Sequence, residues 1–314
     1  MVPELFEPSK FARDAVISLR EEVASGSAIV ACSGGVDSTV CAELAKRALG
    51  DRVTAVFIDD GMRREGEPER VLRLLRTLNV RATAVAASER FFDALAGIGD
   101  AEEKRKAFRE TFYATLADVG GALRAQYLIQ GTIAADIAET VAGVKTQHNV
   151  LEQIGFSTDK YGFRVLEPLA ELYKPQVREV AEQLGLPKAV CQAMPFPGPG
   201  LAIRVVGEIT PDRVSAVRKA TRIMEDETKD SGAFQAFAVL IPVKATGLRN
   251  GSRTYGYIVV IRSVESRDAM KATASPIPAE SLRRIAKRIV DEVEGVSRCV
   301  YDVTDKPPAT IEYE

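Results

Sequence analysis

Apolar and polar positions alternate along the chain in two distinct regimes. In the first, short apolar runs follow one another with amphipathic stretches between them. Residues 10–25 carry Phe11, Val16, Leu19 and Val23 at helical spacing. Ser27–Cys32 (SAIVAC), Val53–Ile58 (VTAVFI), Ala82–Val85 and Tyr127–Gln130 (YLIQ) are short apolar runs that predict buried strands. Thr39–Leu49, 67–78 (Val71, Leu74, Leu75, Leu78) and 101–119 predict helices between them. Val165–Leu166 and a helix over Pro175–Leu184 close this part. Residues 141–163 are polar and aperiodic, and predict a mobile loop. Buried strands alternating with helices predict a doubly wound parallel sheet covered on both faces.

The second regime begins after Pro195-Phe196-Pro197-Gly198-Pro199-Gly200, which can be neither helix nor central strand. Domains over 1–198 and 199–314 are therefore expected. The second has helices at Pro211–Glu227 and Ala279–Val293. Its expected strands are Phe237–Ile241, Tyr257–Arg262, Arg298–Val303 and Thr310–Tyr313, a small α+β domain. A length of 314 residues suits two domains.

Composition narrows the function by exclusion. Basic and acidic residues nearly balance, at 42 and 44, which gives no reason to expect a nucleic-acid or membrane footprint. No apolar run approaches the about 18 residues of a membrane span, and the N-terminal MVPELFEPSKFARD has no signal-peptide core, so a cytoplasmic protein is expected. Cys32, Cys41, Cys191 and Cys299 are scattered, without the spacing of a zinc site or a disulfide framework. The sole histidine is His148. Any mechanism that needs two histidines, or a Cys–His pair away from residue 148, is excluded within this chain.

The strongest local signal is Ser33-Gly34-Gly35-Val36-Asp37-Ser38, followed by Thr39, between a buried strand and a helix. Two glycines allow a tight turn that presents N–H groups to an anion. The helix N-terminus adds partial positive charge, and the hydroxyls of Ser33, Ser38 and Thr39 add donors. Asp37 is suited to hold Mg2+. The GxxxxGK(S/T) spacing and lysine of a Walker loop are absent. SGG turns also begin many ordinary helices. SGGxDS after a first strand, however, resembles the signature of the PP-loop ATP pyrophosphatases, of the adenine nucleotide alpha hydrolase-like fold. That implies cleavage of ATP between its α and β phosphates.

Four further segments resemble one PP-loop family, the GMP synthases. Gln130-Gly131-Thr132 with Asp136 and Glu139 is similar to that family's QGT…PD..ES stretch. Val144-Lys145-Thr146-Gln147-His148-Asn149-Val150 is similar to its IKSHHNV lid. Met194 to Val205 (MPFPGPGLAIRV) is similar to its linker, and Val303 to Glu314, with KPPATIE at Lys306–Glu312, to its C-terminal tail.

The resemblance implies a reaction: the C2 oxygen of XMP attacks the α-phosphorus of MgATP, pyrophosphate leaves, and ammonia then displaces AMP to give GMP. It also implies roles. Ser33 to Thr39, Gly131 and Thr132 would bind ATP; Asp37 and Asp136 would be catalytic carboxylates at the metal; Lys145 would neutralise phosphate charge from the lid. Lys306, Ile311 and Glu312 would contact XMP, with Gln235 and Arg204 further substrate-side candidates. Plainer roles stand beside these: a solvated Lys145, a helix-capping Asp136, an ion-paired Arg204, an exposed His148, a strand carboxylate at Glu312. A separate glutaminase subunit or free ammonia would supply nitrogen, and the second domain would form a homodimer.

The chain also departs from the family's pattern. Gln147-His148 replaces two histidines, Leu151-Glu152-Gln153-Ile154-Gly155 replaces GGLP, Asp59-Asp60-Gly61-Met62-Arg63 is more acidic than usual, Ala193 stands for arginine, and Asp136-Ile137-Ala138-Glu139-Thr140 replaces PD.IES. Two alternatives follow. One is a PP-loop enzyme with a different acceptor, for sulfur transfer through Cys191, which could equally be a small buried hydrophobe. The other is a paralogue that holds nucleotide without turnover.

Overall fold

The computed structural model describes residues 6–141, 161–249, 251–267 and 269–314. These form two compact units. The first takes the chain up to Asp60, then Glu67–Ala87 and Phe108–Ala193. The second takes Gly61–Gly66, Ser88–Ala107 and Met194 onward.

The first unit is built on strands β1 (Ala28–Ala31), β2 (Val53–Asp59), β3 (Ala82–Ala86), β4 (Tyr127–Ile129) and β5 (Arg164–Leu166). All pair in parallel, in the order β3-β2-β1-β4-β5. The chain winds outward from β1 to β3, then crosses to β4 and β5, so the topology switches between β1 and β4. In such sheets a crevice opens beyond the carboxyl ends of the two strands at the switch.

One face of the sheet buries Ala28, Val30, Val53, Ala55, Phe57, Ile129 and Leu166 against four helices. These are α1 (Pro8–Val23), α2 (Val36–Leu49), α3 (Glu67–Thr77) and α7 (Lys174–Gln183). α5 (Ala101–Ala122) supplies Phe108, Tyr113 and Leu116, each 0% exposed. It runs through Gly120, where the 101–119 helix predicted from sequence stops. A Cβ there would stand 3.6 Å from Ile29 Cδ1, so the glycine lies at helix-to-sheet contact distance. Three further helices have no clear signal in the sequence: α4 (Ser88–Leu95, in the second unit), α6 (Ala134–Val141) and the single turn α8 (Lys188–Cys191). They are short, and α4 buries only Phe91 and Leu95, too few positions to establish a period. Apart from its edges, the expected loop 141–163 lies outside the described residues, and with it Lys145 and His148.

The second unit contains α9 (Pro211–Thr228), β6 (Gln235–Arg249), β7 (Ser252–Glu265), β8 (Thr273–Ala274), α10 (Ala279–Glu292) and β9 (Val296–Tyr301). α9 begins as its sequence dictates: the Thr210 hydroxyl accepts from the Arg213 N–H, and Pro211 stands at the first helical position. β6 and β7 form a long antiparallel hairpin, β8 adds antiparallel to β7, and β9 runs parallel to β7. The apolar runs marked only the buried part of the hairpin. Beyond a bulge between Ile241 and Lys244 it continues as an extension bearing Leu248 at 80% and Tyr255 at 66% exposure.

One expected strand is absent. Thr310–Tyr313 pairs with no strand among the described residues and is irregular, with a bend at Ile311 and Glu312. Its carbonyls find a side chain instead of a ladder: Arg262 donates to the oxygens of Thr310 and Ile311, both at 2.9 Å. No helix among the described residues is long and apolar enough to cross a membrane.

Candidate active site

The glycine-rich loop leaves the end of β1 and enters α2 at Val36. Gly34 has φ +81°, and a Cβ on it would stand 2.3 Å from Val71 Cγ2, so any larger residue fails both by conformation and by space. The loop holds its own shape. Ser38 Oγ donates to Gly35 O at 3.2 Å and accepts the Ser33 N–H at 3.2 Å. Thr39 Oγ1 donates to Gly35 O at 2.8 Å. Ser33 and Gly35 are exposed, whereas Val36 and Thr39 are buried. The side chains of Val36 and Thr39 are therefore part of the scaffold, and the face turned to solvent is backbone plus Ser33. Gly35 caps α2 without a side-chain hydrogen bond, leaving the first-turn N–H groups to face an anion.

Asp37 sits in this first turn. Its Oδ2 accepts from Lys174 Nζ at 2.6 Å, while its Oδ1 is buried without a hydrogen-bond partner among the described residues. A buried carboxylate oxygen without a donor is costly, and a cation beside it would satisfy it. The residue present thus fits a metal held jointly with phosphate. Among the described residues no three or more His, Cys, Asp or Glu side chains converge as a metal cage.

β4 delivers the second segment. Gly131 lies so close to α2 that a Cβ would stand 2.9 Å from the Asp37 carbonyl carbon and 3.0 Å from the Ser38 nitrogen. Around it runs a buried polar network. Thr132 Oγ1 donates to Glu167 Oε1 at 2.6 Å, Gln130 Nε2 donates to the same oxygen at 2.7 Å, and Tyr113 Oη donates to Gln130 Oε1 at 2.7 Å. Burial pushes the Tyr113 phenol far up, so it remains a donor. Asp136 has a local role: its Oδ2 accepts the Ile133 N–H at 3.1 Å, closing the start of α6.

In the second unit Arg204 forks onto Glu312, with Nε to Oε2 at 3.0 Å and a terminal nitrogen to Oε1 at 2.8 Å. Gln235 Nε2 donates to Glu312 Oε1 at 3.1 Å and to Pro195 O at 3.0 Å. Arg204 is 2% exposed and lies 4.1 Å from the Phe237 ring centroid and 5.0 Å from that of Phe196. Its guanidinium is spent on Glu312 and two rings, so it acts through Glu312. Lys306 Nζ donates to Ala269 O at 2.9 Å, and Ile311 packs in a small core with Phe237, Val239 and Val260. The linker's Gly200 has φ +62°, and a Cβ on it would stand 2.3 Å from Met62 O, whose carbonyl accepts the Leu201 N–H at 2.8 Å.

Lys174, Glu167 and Arg262 were missed from sequence. Lys174 had a signal: a lysine in the first turn of α7 opposes the helix dipole. Arg262 had one too, as a charge inside the apolar run YIVVIRSV. Glu167, between two short strand residues and a proline, had none.

Known proteins resemble this chain along nearly its whole length. A family model described as NAD synthase matches residues 11–198, and one described as GMP synthase C terminal domain matches residues 221–313. The chain is 53% identical to a subunit of the glutamine-hydrolyzing GMP synthase of Archaeoglobus fulgidus, over 97% of this chain and 99% of that one. It is 47% identical to the protein of the same name from Methanopyrus kandleri, over 99% and 100%. The Thermococcus kodakarensis protein, also of that name, is 48% identical, over 97% and 99%. Among solved structures, NMN synthetase from Francisella tularensis aligns with a TM-score of 0.50 at 19% identity, covering 67% of this chain and 84% of that one, a likeness of fold. A glycine-rich loop at the switch point of a parallel sheet, followed by a unit whose tail is wired to its own strands, is thus found in a chain that belongs to the GMP synthase family.

Proposed function

We propose that this protein activates the C2 oxygen of XMP with ATP and replaces it with ammonia, giving GMP, AMP and pyrophosphate. The observation that carries the reading is the buried, unpartnered Oδ1 of Asp37 beside the open N-terminus of α2. The exposed loop backbone and Ser33 bind the phosphates, and Lys174 neutralises charge next to Asp37. Asp37 would hold Mg2+, and the charge screening that ion would supply is the neutralisation of the phosphates. Asp136, whose Oδ2 is engaged at the start of α6, carries less of this role. Lys145 adds a further positive charge.

The bonds balance. The purine oxygen forms a bond to the α-phosphorus as the bond to the β-phosphate bridging oxygen breaks, and pyrophosphate takes that electron pair. Ammonia nitrogen then bonds to C2, the C2–O bond breaks, and AMP leaves with its electron pair. The purine N3–H proton is released to solvent in the first step and one ammonia proton in the second. A carbonyl oxygen is a poor leaving group and AMP a good one, so the protein's work is positioning and charge neutralisation. Lys306, Ile311, Glu312 and Gln235 bind XMP, with Arg204 behind Glu312. The protein works in the cytoplasm, receives ammonia from a separate glutaminase subunit, and pairs as a homodimer through its second domain (199–314, after an ATP domain of 1–198). The exposed Leu248 and Tyr255 of the hairpin support that pairing.

The other readings lose their support. Cys191 is 1% exposed, donates to Leu186 O at 3.6 Å, and has its thiol pushed up by burial, which is the environment of an inert cysteine. A non-catalytic paralogue has no reason to retain the glycine-only geometry at Gly34 and the unpartnered carboxylate oxygen.

The test is pyrophosphate release from MgATP with ammonium and a panel of nucleotide acceptors. Release with XMP and formation of GMP are expected, with loss of at least about a hundredfold in Asp37→Asn. Release with another acceptor and none with XMP would overturn the assignment.

A further inference from the structure

Arg262 lies in the middle of β7 and is 0% exposed. Four hydrogen bonds leave its guanidinium. Nε donates to Ile311 O at 2.9 Å, and Nη2 to Thr310 O at 2.9 Å. Nη1 donates to Asp302 Oδ2 at 2.7 Å and to Thr304 O at 3.0 Å. The acceptors come from the two ends of one loop. Asp302 and Thr304 precede Lys306-Pro307-Pro308-Ala309, and Thr310 and Ile311 follow it. Tyr313 Oη donates to Asp302 Oδ2 at 2.8 Å, so the chain beyond the loop is tied to the same carboxylate.

This arrangement does more than satisfy a buried charge. Well-packed apolar residues replace buried ion pairs at little or no loss of stability. A buried arginine in an apolar strand therefore calls for a reason other than stability. The loop supplies one. Past the Asp302 N–H bond to Ile261 O at its start, the loop's ladder-type contact among the described residues is the single bridge of Lys306 to Ala272. Without Arg262 the carbonyls of Thr304, Thr310 and Ile311 lose the donor that holds them, and the two ends of the loop are left joined by the Tyr313–Asp302 and Ala309–Asp305 hydrogen bonds. The residues that hang from this staple are those assigned to the acceptor: Lys306 at its crest, Ile311 on the guanidinium by its carbonyl, and Glu312 one position beyond, delivered to Arg204 and Gln235.

We propose that Arg262 is the positioning residue of the acceptor-binding tail: by pinning both ends of the 302–311 loop to one guanidinium it sets where Lys306, Ile311 and Glu312 stand, and so governs affinity for the acceptor nucleotide without touching it. The proposal rests on the reading that this tail holds XMP. Affinity for ATP, whose loop belongs to the other unit, does not depend on it.

The experiment compares wild type with Arg262→Lys, which keeps the charge but has one nitrogen to reach two chain ends, and with Asp302→Asn, which removes only the carboxylate. Pyrophosphate release is measured against XMP and against ATP at saturating ammonium, and amide hydrogen exchange is followed over 303–313 and over α2. In Arg262→Lys, KM for XMP is expected to rise at least about tenfold and KM for ATP to stay within about twofold. Exchange should speed up over 303–313 and not in α2. Asp302→Asn moves the same quantities in the same direction by less, and serves if the lysine variant does not fold. Unchanged exchange over 303–313 overturns the proposal. So does a parallel rise of both KM values with a fall in Tm, which marks a merely structural arginine. A wild type inert toward XMP overturns the acceptor reading, and the exchange measurement still decides whether Arg262 orders the tail.

Discussion

A single methyl group probes the glycine-rich loop. On Gly131 it would stand 2.9 Å from the Asp37 carbonyl carbon and 3.0 Å from the Ser38 nitrogen. Both are backbone atoms of the first turn of α2, which cannot give way as a flexible side chain does. Overpacking of this kind costs about 1–3 kcal/mol, and here the movement falls on the N–H groups proposed to face phosphate. Gly131→Ala is expected to lower kcat/KM for ATP by about a hundredfold or more while the protein stays folded, as initial rates and a thermal melt will show. If the rate is unchanged, β4 does not set the position of the loop. The glycine itself was visible in the sequence as part of a QGT segment. Its reason was not, because the atoms it makes room for lie more than 90 residues away in the chain. The same holds for Asp37, whose partner Lys174 comes from another helix.

At the scale of elements, the tail is where reading by periodicity failed. Thr310–Tyr313 has the composition of a strand, but its hydrogen bonds go to Arg262. This wiring also titrates. Burial pushes the Asp302 carboxyl up, but the Thr304 N–H and hydroxyl, Tyr313 and the Arg262 charge outweigh it and hold the group below its ordinary 3.8. A carboxylate depressed in the folded state adds stability that is fully present above its unfolded value and is lost as pH falls through the folded value. The window is therefore the acid side of 3.8. Wild type is expected to lose more Tm than Asp302→Asn between pH 6 and pH 3, as scanning calorimetry at the two pH values will test. Equal losses would mean that Asp302 takes no part in holding the tail. The hairpin of β6 and β7 teaches a related lesson: its buried stretch announced itself by apolar residues, and its exposed extension did not.

Nitrogen supply is a property of the molecule as a whole. A glutaminase needs a reactive cysteine with a histidine beside it. The chain has His148 alone. Burial pushes the thiols of Cys32, Cys41 and Cys191 up, and that of Cys299 to about 12. With XMP and MgATP, the isolated protein is expected to form GMP with ammonium and none with glutamine, read by chromatography of the nucleotides. Turnover with glutamine alone would place an ammonia source within this chain.

Most of the architecture is legible in the order of the residues. Short apolar runs separated by helical periods can be satisfied only by a parallel sheet covered on both faces, and a run of three prolines and two glycines ends it. The chemistry of the loop is legible for a similar reason: tight turn, helix N-terminus and carboxylate are adjacent in the chain, so local rules suffice. The tertiary structure alone decided which side chains are inside and which partner each charge takes. It put Thr39 and Val36 inside, set Lys174 on Asp37, gave Asp136 to the start of its own helix, and spent Arg204 and Arg262 on the tail. Most of these depend on a partner distant in sequence, and a buried charge takes its meaning from that partner, which periodicity and spacing do not encode.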